Sequence, residues 1–129
     1  MIVLFKRKRW RLKRASKAEI ISQATDKILA DKLYLDAGLK CIDVARAIGT
    51  NRTYLWAALS DRGLGFQEYM SRFRLRYFIE RASAYRDLSC AEIAERCGFN
   101  DAKALNRHLK RMFGITLFDY MKKVNQGVF

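Results

Sequence analysis

The sequence predicts an all-α chain of about seven helices, built as two copies of one short helical unit joined by a long helix. Three observations carry this. Proline is absent from all 129 residues, which suits helices separated by Gly, Asn or Asp turns better than sheet edges or long loops. Apolar residues recur at helical spacing along most of the chain. The chain also repeats itself: Ile42-Asp43-Val44-Ala45-Arg46-Ala47-Ile48-Gly49 returns as Ala91-Glu92-Ile93-Ala94-Glu95-Arg96-Cys97-Gly98, and the phrase Gly63 to Met70 returns as Gly114 to Met121.

Each element follows from local chemistry. Ser16-Lys17-Ala18-Glu19 has capping-box spacing, so a first helix begins there and runs to about Tyr34, with Ile20, Ile21, Ala24, Ile28, Leu29 and Leu35 on one face. Asp36-Ala37-Gly38 breaks the pattern. A short helix from about Cys41 to Ile48 closes at Gly49, a residue able to take the left-handed conformation of a helix end. Thr50 or Asn51 caps the next helix, about Arg52 to Ser60. A long helix from Phe66 to about Tyr85 shows an apolar face of Phe66, Tyr69, Met70, Phe73, Tyr77 and Phe78, with Arg72, Arg74, Arg76, Glu80 and Arg81 as its charged residues.

The second copy opens with the capping box Ser89-Cys90-Ala91-Glu92 and closes its first helix at Gly98. Asn100 or Asp101 caps a helix from about Ala102 to Met112, and Thr116 starts a last one ending near Val124. The repeat offset grows from 49 at Gly49 and Gly98 to 50 at Leu55 and Leu105 and 51 at Gly63 and Gly114, as two one-residue insertions would produce. The expected organisation is a basic arm over residues 1–15, a first subdomain over 16–65, a linker helix over 66–85 and a second subdomain over 86–129.

Charge narrows the function. The formal net charge is +13, a balance that attracts a polyanion, either nucleic acid or an anionic membrane. Eight basic residues and no acidic one lie between Met1 and Lys17, leaving +5 for the remainder. Met1 to Phe5 is apolar but far shorter than the roughly 20 residues of a membrane span. It reads as part of a solvated arm, or as the cytoplasmic exit of a membrane-tethered parent protein. Three cysteines (Cys41, Cys90, Cys97) and the single His108 do not make an ordinary four-ligand zinc site. They read as buried or partly buried thiols in a reducing cytoplasm, and His108 as a surface or phosphate-side residue. No phosphate-binding Gly loop, nucleophile and base pair, or paired carboxylates stand at a motif spacing. The expectation is therefore no enzyme, no catalytic residue, no metal or other cofactor, and no evident small-molecule site.

Helix, glycine turn, helix is the arrangement of a helix-turn-helix, in which the second helix presents its N-terminal residues to base edges in the major groove. Two copies on one chain are more specific than one. A linker of roughly 19 helical residues spans about 28 Å, close to the roughly 34 Å between major-groove openings on one face of B-DNA. With those residues in view, the chain resembles the DNA-binding domain of the AraC/XylS family of bacterial transcription regulators. The resemblance runs from about Ser16 to Lys123. It rests on Gly98-Phe99-Asn100-Asp101, Leu105, Arg107, Lys110, Phe113-Gly114-Ile115-Thr116 and Tyr120, and upstream on Gly49 to Leu55 with Phe66, Tyr69, Arg74 and Leu75.

The resemblance implies binding to double-stranded promoter DNA, with RNA polymerase as a further partner and a sensor or dimerisation region on the N-terminal side in relatives. Carried over by position, the base-contacting residues are Arg52, Thr53 and Trp56 in the first copy and Ala102, Lys103, Asn106 and Arg107 in the second. Tyr54, Arg62, Lys110 and Arg111 fall to phosphate. Arginine suits guanine and asparagine suits adenine. Ala57, the counterpart of Arg107, leaves the first copy a donor short, so Trp56 is compatible with either DNA contact or packing. Leu117 stands where the family usually has proline, and Phe78 where it usually has a small residue. The alternative function is a helical module that binds a protein partner or an anionic membrane without reading sequence.

Overall fold

The computed structural model describes residues 16–128, so the basic arm lies outside the described residues. Among these residues the chain forms seven α-helices and no strand: α1 (Lys17–Ala30), α2 (Cys41–Ala47), α3 (Arg52–Asp61), α4 (Phe66–Arg81), α5 (Cys90–Arg96), α6 (Ala102–Phe113) and α7 (Leu117–Asn125). Short 3-10 turns occupy Leu33–Leu35 and Ala82–Tyr85. The fold class is thus the expected one. The long helix reaches only Arg81 before it tightens into the second of these turns.

Contacts divide the described chain into two compact units. One contains the residues up to Leu33 and Leu39–Tyr69, and the other contains Tyr34–Gly38 together with the chain from Met70. The division falls inside α4, and the segment following α1 belongs to the second unit.

In the first unit α1 packs on α2 and α3, burying Ile20, Ile21, Ala24 and Ile28 against Val44, Leu55 and Leu59. Ser16 caps α1 by accepting from the Glu19 N–H at 3.1 Å, which is the serine half of the expected box. The hydroxyls of Thr25 and Tyr69 meet at 2.7 Å and tie α1 to the first turn of α4. Helix α1 stops short of Tyr34 because Lys32 takes a left-handed φ of 51°, which ends α-helical hydrogen bonding.

The second unit closes around Phe78, which is fully buried and has its ring 5.2 Å from that of Tyr120. Burial of a phenylalanine at this depth stabilises by roughly 2–3 kcal/mol. Arg74, expected among the charged residues of the linker helix, is instead buried at 4% exposure. Its Nε donates to the Tyr34 carbonyl at 2.7 Å and its Nη2 to the Asp36 carbonyl at 3.0 Å. A single guanidinium thus satisfies two carbonyls of the irregular 34–38 segment, which has no ladder of its own. Burial lowers the Arg74 pKa, against a smaller opposing pull from Asp36.

Both copies turn between their paired helices in the same way. The Gly49 and Gly98 N–H groups donate to Arg46 and Glu95, each at 3.1 Å, and the next N–H, of Thr50 or Phe99, reaches back to Ala45 or Ala94 at 2.9 Å. These are the two bonds of a Schellman motif. They require the glycine at φ 78° in one copy and 86° in the other. Ala45 and Ala94 are fully buried beneath the turn. The hydroxyl of Thr50, at the position of Phe99 in the other copy, is buried with no hydrogen-bond partner.

Gly98 carries a second constraint. A Cβ there would lie 2.1 Å from the Tyr34 carbonyl oxygen, whereas a Cβ at Gly63, also left-handed at φ 70°, meets nothing within 4 Å. Gly63→Ala is therefore expected to cost about 1–2 kcal/mol, the left-handed penalty alone. Gly98→Ala should cost at least about 3 kcal/mol, because backbone must also move. Urea denaturation of both variants checks this, and equal losses would contradict the close approach.

Candidate nucleic-acid interface

The caps set the register in which the two second helices are compared. The Asn51 Oδ1 accepts from the Tyr54 N–H at 2.9 Å, and the Asp101 Oδ1 accepts from the Ala104 N–H at 2.8 Å. Of the alternative caps, Asn51 and Asp101 are the ones used. Leu55 pairs with Leu105 and Leu59 with Leu109, all of them buried. An offset of 50 residues therefore holds along the whole of α3 and α6.

In that register the outward faces differ in kind. Helix α6 exposes Lys103, Arg107, Lys110 and Arg111, and at 100° per residue these four fall within an arc of about 100°. Their counterparts on α3 are Thr53, Ala57, Ser60 and Asp61, with no cation among them. Asp61 faces Lys17, at 3.4 Å from its Nζ. Positive charge on α3 and its C-terminal flank lies only beside this face, at the exposed Arg52 and Arg62. Trp56 is 57% exposed and Tyr54 44% exposed, so neither belongs to the core.

Two predicted contact residues on α6 are drawn inward. Ala102 is half-buried in the first turn. Asn106 is half-buried too, and its Oδ1 accepts from the Leu117 N–H at 2.8 Å. Leu117 opens α7, and a first-turn helix N–H has no partner within its own helix. Asn106 supplies that partner from α6, so a bidentate contact to adenine would compete with this bond for the same oxygen. Sequence reasoning missed the bond, although a non-proline residue at the start of α7 signals a donor needing an acceptor.

His108 is half-buried, with its ring 5.8 Å from that of Phe99. Of the thiols, Cys97 is buried and Cys41 half-buried, whereas Cys90 is exposed at the start of α5, contrary to expectation. Burial pushes the Cys97 thiol up to about 12, outweighing Arg81 nearby. A groove in the second unit is lined by Ile79, Phe113, Ile115 and Tyr120, with Lys122, Lys123 and Asp119 among its polar groups. It offers no nucleophile and base pair. No helix among the described residues is long and apolar enough to cross a membrane.

A family profile described as a helix-turn-helix domain, of the AraC type, matches residues 44–123, which run from α2 into α7 and so include both turns. Among solved structures, the fold is similar to that of the C-terminal domain of the two-component response regulator yesN from Fusobacterium nucleatum. The TM-score is 0.58 at 24% identity, over 82% of this chain and 99% of that one. No curated protein gives a significant match.

The Asn106 bond separates a strut from an outward-facing contact residue. Asn106→Ala should destabilise the fold by about 1–3 kcal/mol, since it strands the Leu117 N–H. Arg107→Ala should stay within about 0.5 kcal/mol, as for an ordinary surface site. Thermal or urea unfolding of both variants checks this, and equal stability would deny Asn106 its structural role.

Proposed function

The chain belongs to the AraC-type helix-turn-helix family and is a DNA-binding domain of transcription regulation, not an enzyme; we propose that it reads duplex promoter DNA sequence-specifically, with α3 and α6 in adjacent major-groove segments. The observation that carries this is the α6 stripe. Four exposed cations sit on one face of the helix that follows a Schellman turn, which is where a helix-turn-helix presents side chains to base edges and phosphates.

The roles divide by position along α6. Lys103 and Arg107 lie in its first two turns, within reach of base edges, where Arg107 suits the O6 and N7 acceptors of guanine. Lys110 and Arg111, near its C-terminal end, suit phosphates. Asn106 acts chiefly by holding the start of α7. On the first copy, Arg52, Tyr54 and Arg62 suit the phosphate backbone and orient α3. A domain bound in this way recruits or obstructs RNA polymerase according to where its site lies in a promoter.

The test is selection from random duplexes with the 129-residue chain, followed by affinity measurement on the enriched sequence. Arg107→Ala should weaken binding to that sequence by roughly 5- to 150-fold, the equivalent of about 1–3 kcal/mol, and relax preference at one base pair. Failure to enrich any sequence, or an unchanged preference in Arg107→Ala, would contradict the proposal.

A further inference from the structure

We infer that the first helix-turn-helix recognises thymine through its 5-methyl group, using an apolar face of Thr53, Trp56 and Ala57, so that one half of the DNA site is read by apolar contact and the other by charge and hydrogen bonds. The inference rests on the reading of α3 as a recognition helix and adds what α3 recognises.

The register established by the two caps carries the argument. Where α6 presents Lys103, Arg107, Lys110 and Arg111, α3 has Thr53, Ser60 and Asp61 exposed and Ala57 half-buried. At 100° per residue, Thr53, Trp56, Ala57 and Ser60 lie within an arc of about 100°, with Arg52 just beyond it. In the major groove, guanine offers two acceptors and adenine an acceptor and a donor, so both are read best by long side chains with paired hydrogen-bonding groups. The α3 face has none of these. It offers two short methyl-bearing side chains and an indole that is 57% exposed, with a single N–H donor. The thymine methyl is the one apolar group on the major-groove edges that such a face complements.

The remaining features agree. An exposed tryptophan beside two short side chains leaves apolar surface in water that contact with a methyl would remove. Arg52 at the start of the helix favours close approach of phosphate there, whereas Asp61 at its end is engaged with Lys17. Arg52 thus favours approach of the N-terminal end of α3 to the duplex, and Thr53 and Trp56 lie in its first five residues, with Ala57 next in sequence.

The experiment uses the intact chain and the duplex enriched by random selection, with thymidine replaced by deoxyuridine in one half-site at a time. Deoxyuridine keeps every hydrogen-bonding group and lacks only the methyl. Affinity should fall about fourfold per contacted methyl removed, the ratio equivalent to ~0.8 kcal/mol, and in one half-site only. That penalty should vanish when Trp56→Ala is combined with Thr53→Ser, and should persist in Arg107→Ala. If a sequence is enriched but deoxyuridine is tolerated throughout, or the penalty survives the Trp56 and Thr53 changes, the thymine inference is overturned while sequence-specific binding stands. If no sequence is enriched, both fall together.

Discussion

One backbone amide in each copy, that of Thr50 or Phe99, reaches back five residues to the carbonyl of a buried alanine, and the direction of each second helix depends on it. The bond closes only when the intervening glycine is left-handed. Because the turn is made by backbone and by small residues beneath it, it dictates very little about the side chains that follow. The N-cap places the first residue of the next helix, buried leucines at equivalent positions fix its rotation, and the opposite face is left open to change. Two turns of the same geometry therefore carry two faces of unlike chemistry.

The second unit adds a further layer of restraint around its turn. Gly98 lies against the Tyr34 carbonyl that Arg74 also holds, so a carbonyl, a glycine and a guanidinium converge at one point. A buried arginine is costly unless its donors are used, and here two backbone carbonyls use them. Asn106 supplies a comparable tie between α6 and the start of α7. The helix that carries the four cations is thus braced by polar contacts at defined atoms as well as by the core around Phe78. A rigid support of this kind is what a face reading hydrogen-bonding groups needs, because such contacts fail with small displacements.

Much of this was legible in the sequence, for physical reasons that can be named. Caps and glycine turns are local, so Ser16, Asn51, Ser89, Asp101, Thr116, Gly49 and Gly98 announced the helix ends, and the repeat announced the pairing of helices. Contacts made at a distance in sequence were not legible. Arg74 looks like any other linker-helix charge until the carbonyls of Tyr34 and Asp36 are beside it. Asn106 has the chemistry of an adenine reader, and only the position of the Leu117 N–H reveals its second task. His108 reads as a surface residue in sequence, and the Phe99 ring beside it is what half-buries it. The end of α1 is not legible in sequence, because Lys32 adopts a left-handed conformation that its residue type does not advertise. Cys90 was expected to be sheltered, but the first position of α5 points into solvent.

The central claim is that two matching scaffolds divide the work, with the larger share of their charge attraction to the duplex coming from α6. The most direct measurement is the salt dependence of binding to the enriched duplex, for the native chain and for a variant with Lys103, Arg107, Lys110 and Arg111 all changed to Gln. Each phosphate contact contributes about 0.9 to the slope of log K against log salt. The account predicts that the slope falls by between about two and four. A slope unchanged by the loss of all four cations would contradict it.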